Sequence, residues 1–373
     1  MRIAITINTS WNIFNFRSGL IQALLAAGYE VYAVAPYDSY TAKLEELGCK
    51  YVPIKMQNTG VNPMKDIKLI FDLKRIYKNI NPDVILQFTI KPNIYGSMAA
   101  HRLGIPVINN VSGLGTVFLS KSVSSYIAKT LYKLSFKNVP LVFFQNEDDK
   151  NDFLQEIPLE TLNYDLLPGS GINLRKYTPQ ERMNNSTEFQ FLMIARIIIE
   201  KGIREYVEAA KIVKEKNPNT KFLILGQLDP GHKRGISIDE FDQWTKEEVI
   251  VHLGETDDVK NIIASSDCVV LPSYREGTPR TLLEAAAMGK PIITSNVPGC
   301  REVVRDEFNG LLCKVKSASN LAEKMIQMEN LSSKALAKMG ENGRKLVEER
   351  FDENIVIEKY LKQISNFIKQ KAV

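Results

Sequence analysis

The sequence predicts an α/β protein with two parallel, doubly wound sheets. Short apolar runs rich in β-branched residues alternate with helical patterns from the first residue, and the same alternation starts again after residue 188. Parallel strands need crossover helices, which cover both faces of a sheet. The chain has 373 residues, too many for one ordinary domain. The order of the elements and the length of the chain together indicate two domains, each with one such sheet.

The first half opens with a predicted strand at 2–7 and a helix at 19–27, which Gly28 closes. A strand at 30–35 follows and ends at Pro36. The later elements are assigned by the same change between continuous apolar runs and a period of 3.6. They are helix 41–47, strand 51–54, helix 64–77, strand 83–86, helix 95–103 and strand 107–110.

The pattern pauses at residues 166–173, before a polar stretch at 180–188. We therefore predict domains 1–168 and 169–350, and a C-terminal helix in 351–373 that crosses to the first domain. The second half contains strand 189–194, helix 201–216, strand 221–225, strand 249–253, helix 259–264, strand 268–271, helix 280–288, strand 291–294 and a final helix with Ile357, Leu361, Ile364 and Ile368 on one stripe. Ligands of such folds bind outside the carboxyl ends of the strands, so the cleft between two facing domains is the expected site.

Composition and residue counts exclude several classes of protein. Hydrophobic residues make up 44% and charged residues 24%, as in globular proteins and unlike disordered or fibrous chains. No apolar run approaches the roughly 20 residues of a spanning helix, and the start has no secretory signal pattern, so we expect a cytosolic protein. Four scattered cysteines and three histidines form no disulfide or metal-ligand pattern, which predicts buried thiols and no metal site.

The charge is distributed unevenly. Residues 1–140 contain 16 Lys and Arg against 7 Asp and Glu, a net +9, although the whole chain carries only +5. The remainder is therefore net acidic. A basic first half suits a polyanion, an anionic membrane surface or a phosphorylated substrate, and the alternative is a surface that only aids solubility.

The segment 274–285, YREGTPRTLLEA, carries the most informative chemistry. Glu276 lies on a loop after strand 268–271, Gly277 lets a ligand approach the backbone, and Pro279 suits the first turn of a helix. The amides at this helix N-terminus predict an anion site, and Glu284, one turn later, suits the diol of a ribose. The predicted binding residues here are Gly277, Thr278, Pro279, Arg280 and Glu284.

Arg196 and Lys201 form a second element between strand 189–194 and the next helix. A guanidinium binds phosphate oxygens in pairs and an ammonium adds a compact charge, so the two suit a diphosphate leaving group without a metal. Gly226, Gly254 and Thr256 follow other strands of the second half, where we expect them to line a base pocket.

Three patterns together resemble the retaining glycosyltransferases of family four, which have the GT-B fold of two facing Rossmann-like domains. They are Glu-x7-Glu at Glu276 and Glu284, Arg-x4-Lys-Gly at 196–202, and PGSGIN at 168–173. The match covers nearly the whole chain. Segments 92–96, 109–115 and 298–302 further resemble bacterial enzymes that extend polyprenyl-diphosphate-linked sugars for O-antigen, capsule or glycoprotein assembly.

The resemblance implies a role for each matching residue. Arg196 and Lys201 would hold the donor diphosphate, Glu284 would bind the nucleotide ribose, and Glu276 would contact donor-sugar hydroxyls near the anomeric carbon. It also implies a UDP-sugar donor carrying an N-acetylhexosamine or a hexose, no metal, and retention of configuration by front-face attack. The implied acceptor is a lipid-linked saccharide, and no nucleic-acid partner is expected.

Acceptor contacts are expected at Lys91, Ser112, Gly113 and Gly115. Ser112 stands where many relatives have a histidine, and a serine is no base at neutral pH without help. Gly113 and Gly115 have a simpler explanation, a tight turn. Many relatives also have two glycines in the first β–α loop, where this sequence has Ser10-Trp11 and only Gly19 further on.

Residues 121–137 predict a helix that docks on the cytoplasmic leaflet of a membrane. Lysines beside exposed aromatic residues suit an anionic lipid surface, and an ordinary surface helix with covered aromatics is the alternative. One side of this predicted helix is an apolar stripe, and the opposite side carries lysines with two aromatic residues beside them. The stripe consists of Val123, Ile127, Leu131 and Leu134, the lysines are Lys129, Lys133 and Lys137, and the aromatic residues are Tyr132 and Phe136.

Other interpretations remain open at this point. Glu276 and Glu284 are also compatible with solvated helix-end carboxylates, and Arg196 and Lys201 with a solvated first turn. On the same fold, an enzyme resembling a UDP-N-acetylhexosamine 2-epimerase would need no acceptor. A two-domain sugar-binding protein is a non-enzymatic alternative. A dinucleotide-dependent dehydrogenase is disfavoured because no GxGxxG follows the first strand.

Overall fold

The computed structural model describes residues 1–57, 62–114, 118, 123–159, 161–180, 188–232 and 234–371. The chain divides into two compact units. Unit 1 comprises Met1–Ser170 and Glu353–Val373, and unit 2 comprises Gly171–Asp352. Each unit contains one parallel sheet with helices, which confirms the predicted fold class.

Unit 1 has a seven-stranded sheet in the order β3-β2-β1-β4-β5-β6-β7, with every pairing parallel. The strands are β1 Arg2–Thr6, β2 Glu30–Ala35, β3 Lys50–Pro53, β4 Val84–Phe88, β5 Val107–Val111, β6 Leu141–Phe144 and β7 Tyr164–Leu166. The helices are α1 Ser10–Ala26, α2 Thr41–Glu46, α3 Pro63–Ile80, α4 Ser97–His101, α5 Val123–Phe136, α6 Glu147–Glu156 and α14 Glu353–Lys371, and a π turn, Pro92–Gly96, precedes α4.

Unit 2 has a six-stranded parallel sheet in the order β10-β9-β8-β11-β12-β13. Its strands are β8 Gln190–Ile194, β9 Lys221–Leu225, β10 Val251–His252, β11 Cys268–Leu271, β12 Ile292–Ser295 and β13 Gly310–Cys313. Its helices are α7 Ile203–Lys216, α8 Ile238–Lys246, α9 Lys260–Ser265, α10 Arg280–Ala287, α11 Cys300–Val303, α12 Ala318–Glu329 and α13 Ser333–Arg350, with a 3₁₀ turn at Ile199–Lys201.

Two apolar clusters cover the two faces of the unit 1 sheet. On one face, α3, the π turn and α5 share a single core. On the other, α1 and α2 pack with α14, whose Tyr360 and Ile364 are fully buried against strand residues. Tyr360 also accepts a hydrogen bond from the Asn110 side chain at 3.0 Å. The C-terminal helix is therefore part of unit 1, although the whole of unit 2 precedes it in the sequence.

The first helix begins at Ser10, so its predicted start at residue 19 is wrong. The Thr9 side chain accepts a hydrogen bond from the Asn12 amide at 3.1 Å and caps the helix. The apolar stripe is interrupted because Ser10 and Arg17 are buried polar residues, and Arg17 lies over the Phe88 ring at 4.2 Å. Gly19 is therefore a helical residue and not part of the first β–α loop.

Helix α5 buries two aromatic residues that we expected to be exposed. Tyr132 and Phe136 lie in an aromatic cluster with Phe153, at centroid distances of 5.4 and 5.5 Å, because their large rings bury the most apolar surface. Ile127 and Leu134, which belong to the apolar stripe identified in the sequence, are exposed.

The remaining residues of that prediction have mixed outcomes. Leu131 is half-buried against the core, and Lys129 forms an ion pair with Glu156 at 2.9 Å. Residues 121–122 and the Val123 side chain lie outside what the structure describes. The exposed aromatic side chain on this helix is Tyr126, so the expectation of exposed Tyr132 and Phe136 was wrong.

Candidate active site

Two motifs of unit 2, residues 196–202 and 274–285, meet at one edge of its sheet. Strands β8 and β11 are neighbours, so the segments that follow them emerge side by side. The Tyr274 amide donates to the Glu200 carbonyl at 2.9 Å, and Thr281 Oγ1 donates to the Ile194 carbonyl at 3.2 Å. These two bonds fix the loop before α10 against the turn after β8, which is the carboxyl edge where ligands of such sheets bind.

Lys201 and Glu276, predicted from separate motifs, form an ion pair. Lys201 ends the 3₁₀ turn Ile199–Lys201, and its Nζ donates a hydrogen bond to Glu276 Oε1. The side chains are only 23% and 13% exposed, so the two charges lie in a partly desolvated site where each orients the other. The pair leaves the second carboxylate oxygen of Glu276 as a further acceptor.

The backbone of Gly299 packs directly against the backbone of Glu276 and Gly277. Gly299 has φ +79°, and a Cβ placed on it would lie 2.1 Å from the Gly277 carbonyl oxygen and 2.5 Å from that of Glu276. Only glycine fits such a close approach in a left-handed conformation. Cys300 follows, and burial, together with the charge of Glu276, raises the pKa of its thiol to about 12.

Glu284 is held by residues from two sides. Arg280 Nε donates to Glu284 Oε1 at 3.0 Å across one turn of α10, and both side chains are largely buried. Tyr177 lies beside this pair. Burial raises the pKa of the Tyr177 hydroxyl, and the neighbouring Glu284 carboxylate raises it further. Helix α10 itself starts at Arg280 with Pro279 as its N-cap residue.

The other predicted donor residues lie at neighbouring strand ends. Arg196 follows β8 and is exposed. The Gly226 amide donates to the Gly254 carbonyl at 2.8 Å, so these two predicted positions lie together. A Cβ on Gly226 would lie 1.9 Å from the Ala195 carbonyl oxygen, which gives this glycine a packing role as well. Thr256 is exposed and its hydroxyl accepts from the Asp258 amide at 3.1 Å.

Sequence reasoning missed two residues of this site. His252 belongs to no motif of the sequence, and its Nε2 lies 2.9 Å from the Gly226 carbonyl oxygen. Tyr177 was not singled out, although it lies beside Glu284. Tyr177 stands four positions after the 168–173 motif. Its partner Glu284 is over a hundred positions away in the chain, so only the folded structure reveals the contact.

The predicted acceptor residues lie at the carboxyl edge of the unit 1 sheet. Lys91 follows β4, and Ser112 and Gly113 follow the neighbouring β5. Lys91 Nζ donates to Asp66 Oδ1 at 2.8 Å, and both side chains are nearly buried. Ser112 is exposed. Gly115 lies outside the described residues.

Lys91 also lines a cavity of about 500 Å³ on unit 1. The cavity lies beside the strand ends, since Pro36 and Ile54 follow β2 and β3. Apolar side chains form part of its wall, and four lysines supply positive charge. The ionisable lining residues are Lys55, Lys65, Lys68, Lys91, Asp66 and Asp72.

All four cysteines are buried thiols, as predicted, and burial raises the pKa of Cys49 to about 12. Within the described part of the chain, no group of three or more His, Cys, Asp or Glu side chains is arranged to hold a metal ion. No helix in the described ranges is long and apolar enough to cross a membrane.

The comparisons with known proteins identify the chain as a glycosyltransferase with the GT-B fold. The family model for "Glycosyl transferases group 1" matches residues 175–346, and the model for "Glycosyl transferase 4-like" matches residues 2–146. Together with a relative that is 31% identical along nearly the whole chain, these matches show that the protein belongs to glycosyltransferase family four.

That relative is the N,N'-diacetylbacillosaminyl-diphospho-undecaprenol alpha-1,3-N-acetylgalactosaminyltransferase of Campylobacter jejuni, and the match covers 99% of this chain and 100% of the relative. The UDP-Gal:alpha-D-GlcNAc-diphosphoundecaprenol alpha-1,3-galactosyltransferase of Escherichia coli is 26% identical, over 81% of this chain and 79% of its own.

Solved structures share the fold at low sequence identity. Sucrose-phosphate synthase from Thermosynechococcus elongatus has a TM-score of 0.81 at 18% identity, over 99% of this chain and 100% of its own. Anabaena HepE in complex with UDP has a TM-score of 0.77 at 17% identity, over 98% and 100%. These likenesses agree with the GT-B fold that the sequence motifs imply.

Proposed function

We propose that the enzyme transfers an N-acetylhexosamine or a hexose from a UDP-sugar to a polyprenyl-diphosphate-linked saccharide, with retention and without a metal. The observation that carries this proposal is the Lys201–Glu276 pair at the carboxyl edge of the unit 2 sheet. It combines a cation for phosphate with a carboxylate for sugar hydroxyls in one partly buried site. The printed activities of the two relatives support the lipid-linked acceptor.

Donor binding is assigned to the edge of β8, β9 and β11. The Arg196 guanidinium and the Lys201 ammonium bind the diphosphate and neutralise the charge that grows on it as the sugar leaves. Glu284, held by Arg280, accepts hydrogen bonds from the ribose diol. Gly226, Gly254 and Thr256 line the base. A neighbour of the same fold crystallised with UDP supports the choice of nucleotide.

In the proposed transfer reaction the departing diphosphate acts as the base, and Glu276 and Lys201 position the donor. The bond between the anomeric carbon and the diphosphate oxygen breaks, and the acceptor hydroxyl oxygen bonds to that carbon on the same face. The hydroxyl proton passes to the departing diphosphate oxygen, which serves as the base. Glu276 positions the donor sugar through its hydroxyls, while its hydrogen bond from Lys201 keeps the carboxylate beside the phosphate-binding cation.

The acceptor is assigned to unit 1. The cavity beside Lys91 offers lysine ammonium groups for a diphosphate and apolar wall for the attached chain. Its two carboxylates already have cationic partners, Asp66 with Lys91 at 2.8 Å and Asp72 with Arg75 at 3.3 Å. The cavity is therefore suited to an anion. A lipid-linked acceptor implies that the enzyme works at the cytoplasmic face of the membrane in surface-polysaccharide or glycan assembly.

A transfer assay tests the proposal. UDP-sugars are incubated with a short-chain polyprenyl-diphosphate saccharide, with and without EDTA, and the product anomer is read by NMR. We expect a product with the donor's α configuration, at the same rate in EDTA. An inverted product or a rate lost to EDTA contradicts the mechanism. An arm with UDP-N-acetylhexosamine and no acceptor detects an epimerase, since an epimer formed there would replace the transferase assignment.

A further inference from the structure

Helix α3 carries apolar residues on two sides, one that packs into the core and one that faces solvent. Its inner face packs Leu69, Leu73 and Ile76 into the unit 1 core. On the opposite side, Met64, Ile67 and Phe71 are 81%, 55% and 66% exposed. Their spacing of three and four residues places them on one stripe of the helix. Single exposed apolar residues need no explanation, whereas three large ones in two turns mark an interaction surface.

The charge of α3 is strongly one-sided. The helix contains five basic residues and only two acidic ones, Asp66 and Asp72. Asp66 is buried and paired with Lys91, and Asp72 is paired with Arg75. The outer apolar stripe is thus bordered by positive charge with little opposing negative charge. The basic residues are Lys65, Lys68, Lys74, Arg75 and Lys78.

Helix α5 presents a similar surface in the same layer. The buried sides of α3 and α5 belong to one core, and the π turn Pro92–Gly96 contacts both helices. On its outer side, α5 leaves Tyr126 75% and Leu134 64% exposed, next to exposed Lys133 and Lys137. Both helices therefore cover the same face of the unit 1 sheet and leave apolar and cationic side chains on its outside.

We propose that the outer faces of α3 and α5 form the surface that docks this enzyme on an anionic lipid bilayer, with Met64, Ile67 and Phe71 entering the interface. This proposal rests on the proposed function, whose acceptor is a membrane lipid. Large apolar side chains bordered by Lys and Arg are the composition of helices that lie in the plane of a bilayer. The lysines add attraction to anionic headgroups.

Charge favours a lipid surface over a second copy of the chain. Two copies meeting through α3 would bring two strongly basic faces together, which is unfavourable. An anionic bilayer complements the same face over its whole length. Docking through α3 also explains the position of the acceptor cavity, because Lys65 and Lys68 on this helix line it. A diphosphate at the membrane surface would then be within reach of the cavity.

Vesicle flotation tests the docking surface. The full-length protein is mixed with vesicles of phosphatidylcholine alone or with added phosphatidylglycerol. We expect flotation only with the anionic vesicles, and at least a tenfold lower bound fraction for Met64→Ser/Ile67→Ser/Phe71→Ser and for Lys74→Gln/Lys78→Gln. Ile238→Ser/Phe308→Ser, which removes exposed apolar side chains of unit 2, is the matched control and should bind like wild type. Circular dichroism melting verifies that each variant is folded.

Activity separates this proposal from the proposed function. With a water-soluble acceptor the triple serine variant should match wild type, and with the acceptor embedded in anionic vesicles it should fall at least tenfold. Flotation of the triple variant equal to wild type overturns the docking surface. So does sedimentation showing a wild-type dimer that the variant converts to monomer. Wild-type flotation without transfer to either acceptor instead refutes the proposed function and leaves the docking surface supported.

Discussion

Lys201 Nζ donates a hydrogen bond to Glu276 Oε1, and this pair joins two segments that lie 75 positions apart in the sequence. Each residue belongs to a loop at the carboxyl end of a strand, and the two strands are neighbours. The ammonium and the carboxylate are thus oriented before any substrate binds. Such preorganisation is a major source of rate in enzymes that stabilise developing charge.

Removing either member of this pair is expected to abolish transfer. Glu276→Gln and Lys201→Ala should each lower kcat by at least about 100-fold, the scale at which one positioned polar group acts. The measurement is the transfer rate at saturating donor, with circular dichroism to verify folding. The exposed pair Lys211 and Glu208 on α7 offers the control, since Lys211→Ala should leave the rate unchanged. Near-normal turnover in Glu276→Gln would remove that residue from the mechanism.

Glu284→Gln is expected to weaken binding of UDP about tenfold or more, the loss that follows when a charge-assisted hydrogen bond to the ribose becomes a neutral one. Tyr177→Phe should have a smaller effect in the same direction, because the hydroxyl acts on the ligand only through Glu284. Calorimetric titration with UDP measures both. Equal affinity of Glu284→Gln and wild type would contradict the ribose assignment.

Gly299→Ala is expected to destabilise unit 2 and reduce activity together. The new Cβ would lie 2.1 Å from the Gly277 carbonyl oxygen, and the loop that carries Glu276 must move. We expect a loss of about 2–4 kcal/mol in the free energy of unfolding, because steric overlap adds to left-handed strain. Gly104→Ala is the control.

At Gly104 φ is +67° and no atom lies within 4 Å of a new Cβ, so only the backbone cost of about 1 kcal/mol applies. Urea unfolding of both variants measures the difference. A Gly299→Ala variant no less stable than Gly104→Ala would show that the loop tolerates the added methyl group.

Alkaline pH is expected to destabilise the fold. Burial raises the pKa of Cys49 and of Tyr77 to about 12, above their ordinary values of 9.0 and 10.0. The unfolded chain loses the Cys49 proton above about pH 9 and the Tyr77 proton above about pH 10, while the folded chain retains both, so the free energy of unfolding falls as the pH rises towards 12. Each group contributes a slope of up to about 1.4 kcal/mol per pH unit.

Urea midpoints at pH 8, 10 and 11 measure this slope. Cys49→Ala serves as the comparison, because it removes one titrating group and should flatten the dependence whatever it does to stability at pH 8. A slope unchanged by that substitution would show that Cys49 does not titrate in this window.

The alternation of strands and helices was predictable because each element has a local period, and β2 and α2 fall within one residue of their predicted bounds. The start of α1 was not predictable, because Ser10 and Arg17 are buried by contacts with distant residues and interrupt the apolar stripe of this helix. The chemistry of the unit 2 motifs was readable from residue types and spacing. The contacts between these motifs were not predictable, because residues such as Tyr177 and Glu284 are far apart in the sequence and meet only in the folded unit.

By itself, the sequence determined the two parallel sheets, the residue types of the donor site and the family, because each depends on local periodicity or short spacing. Tertiary structure alone decided which side of α5 faces the core. Two stripes of that helix were apolar enough to be buried, and the rings of Tyr132 and Phe136 occupy the core because Phe153 lies opposite them. The remaining apolar residues, with those of α3, were left outside, where they form the surface proposed to dock on a membrane.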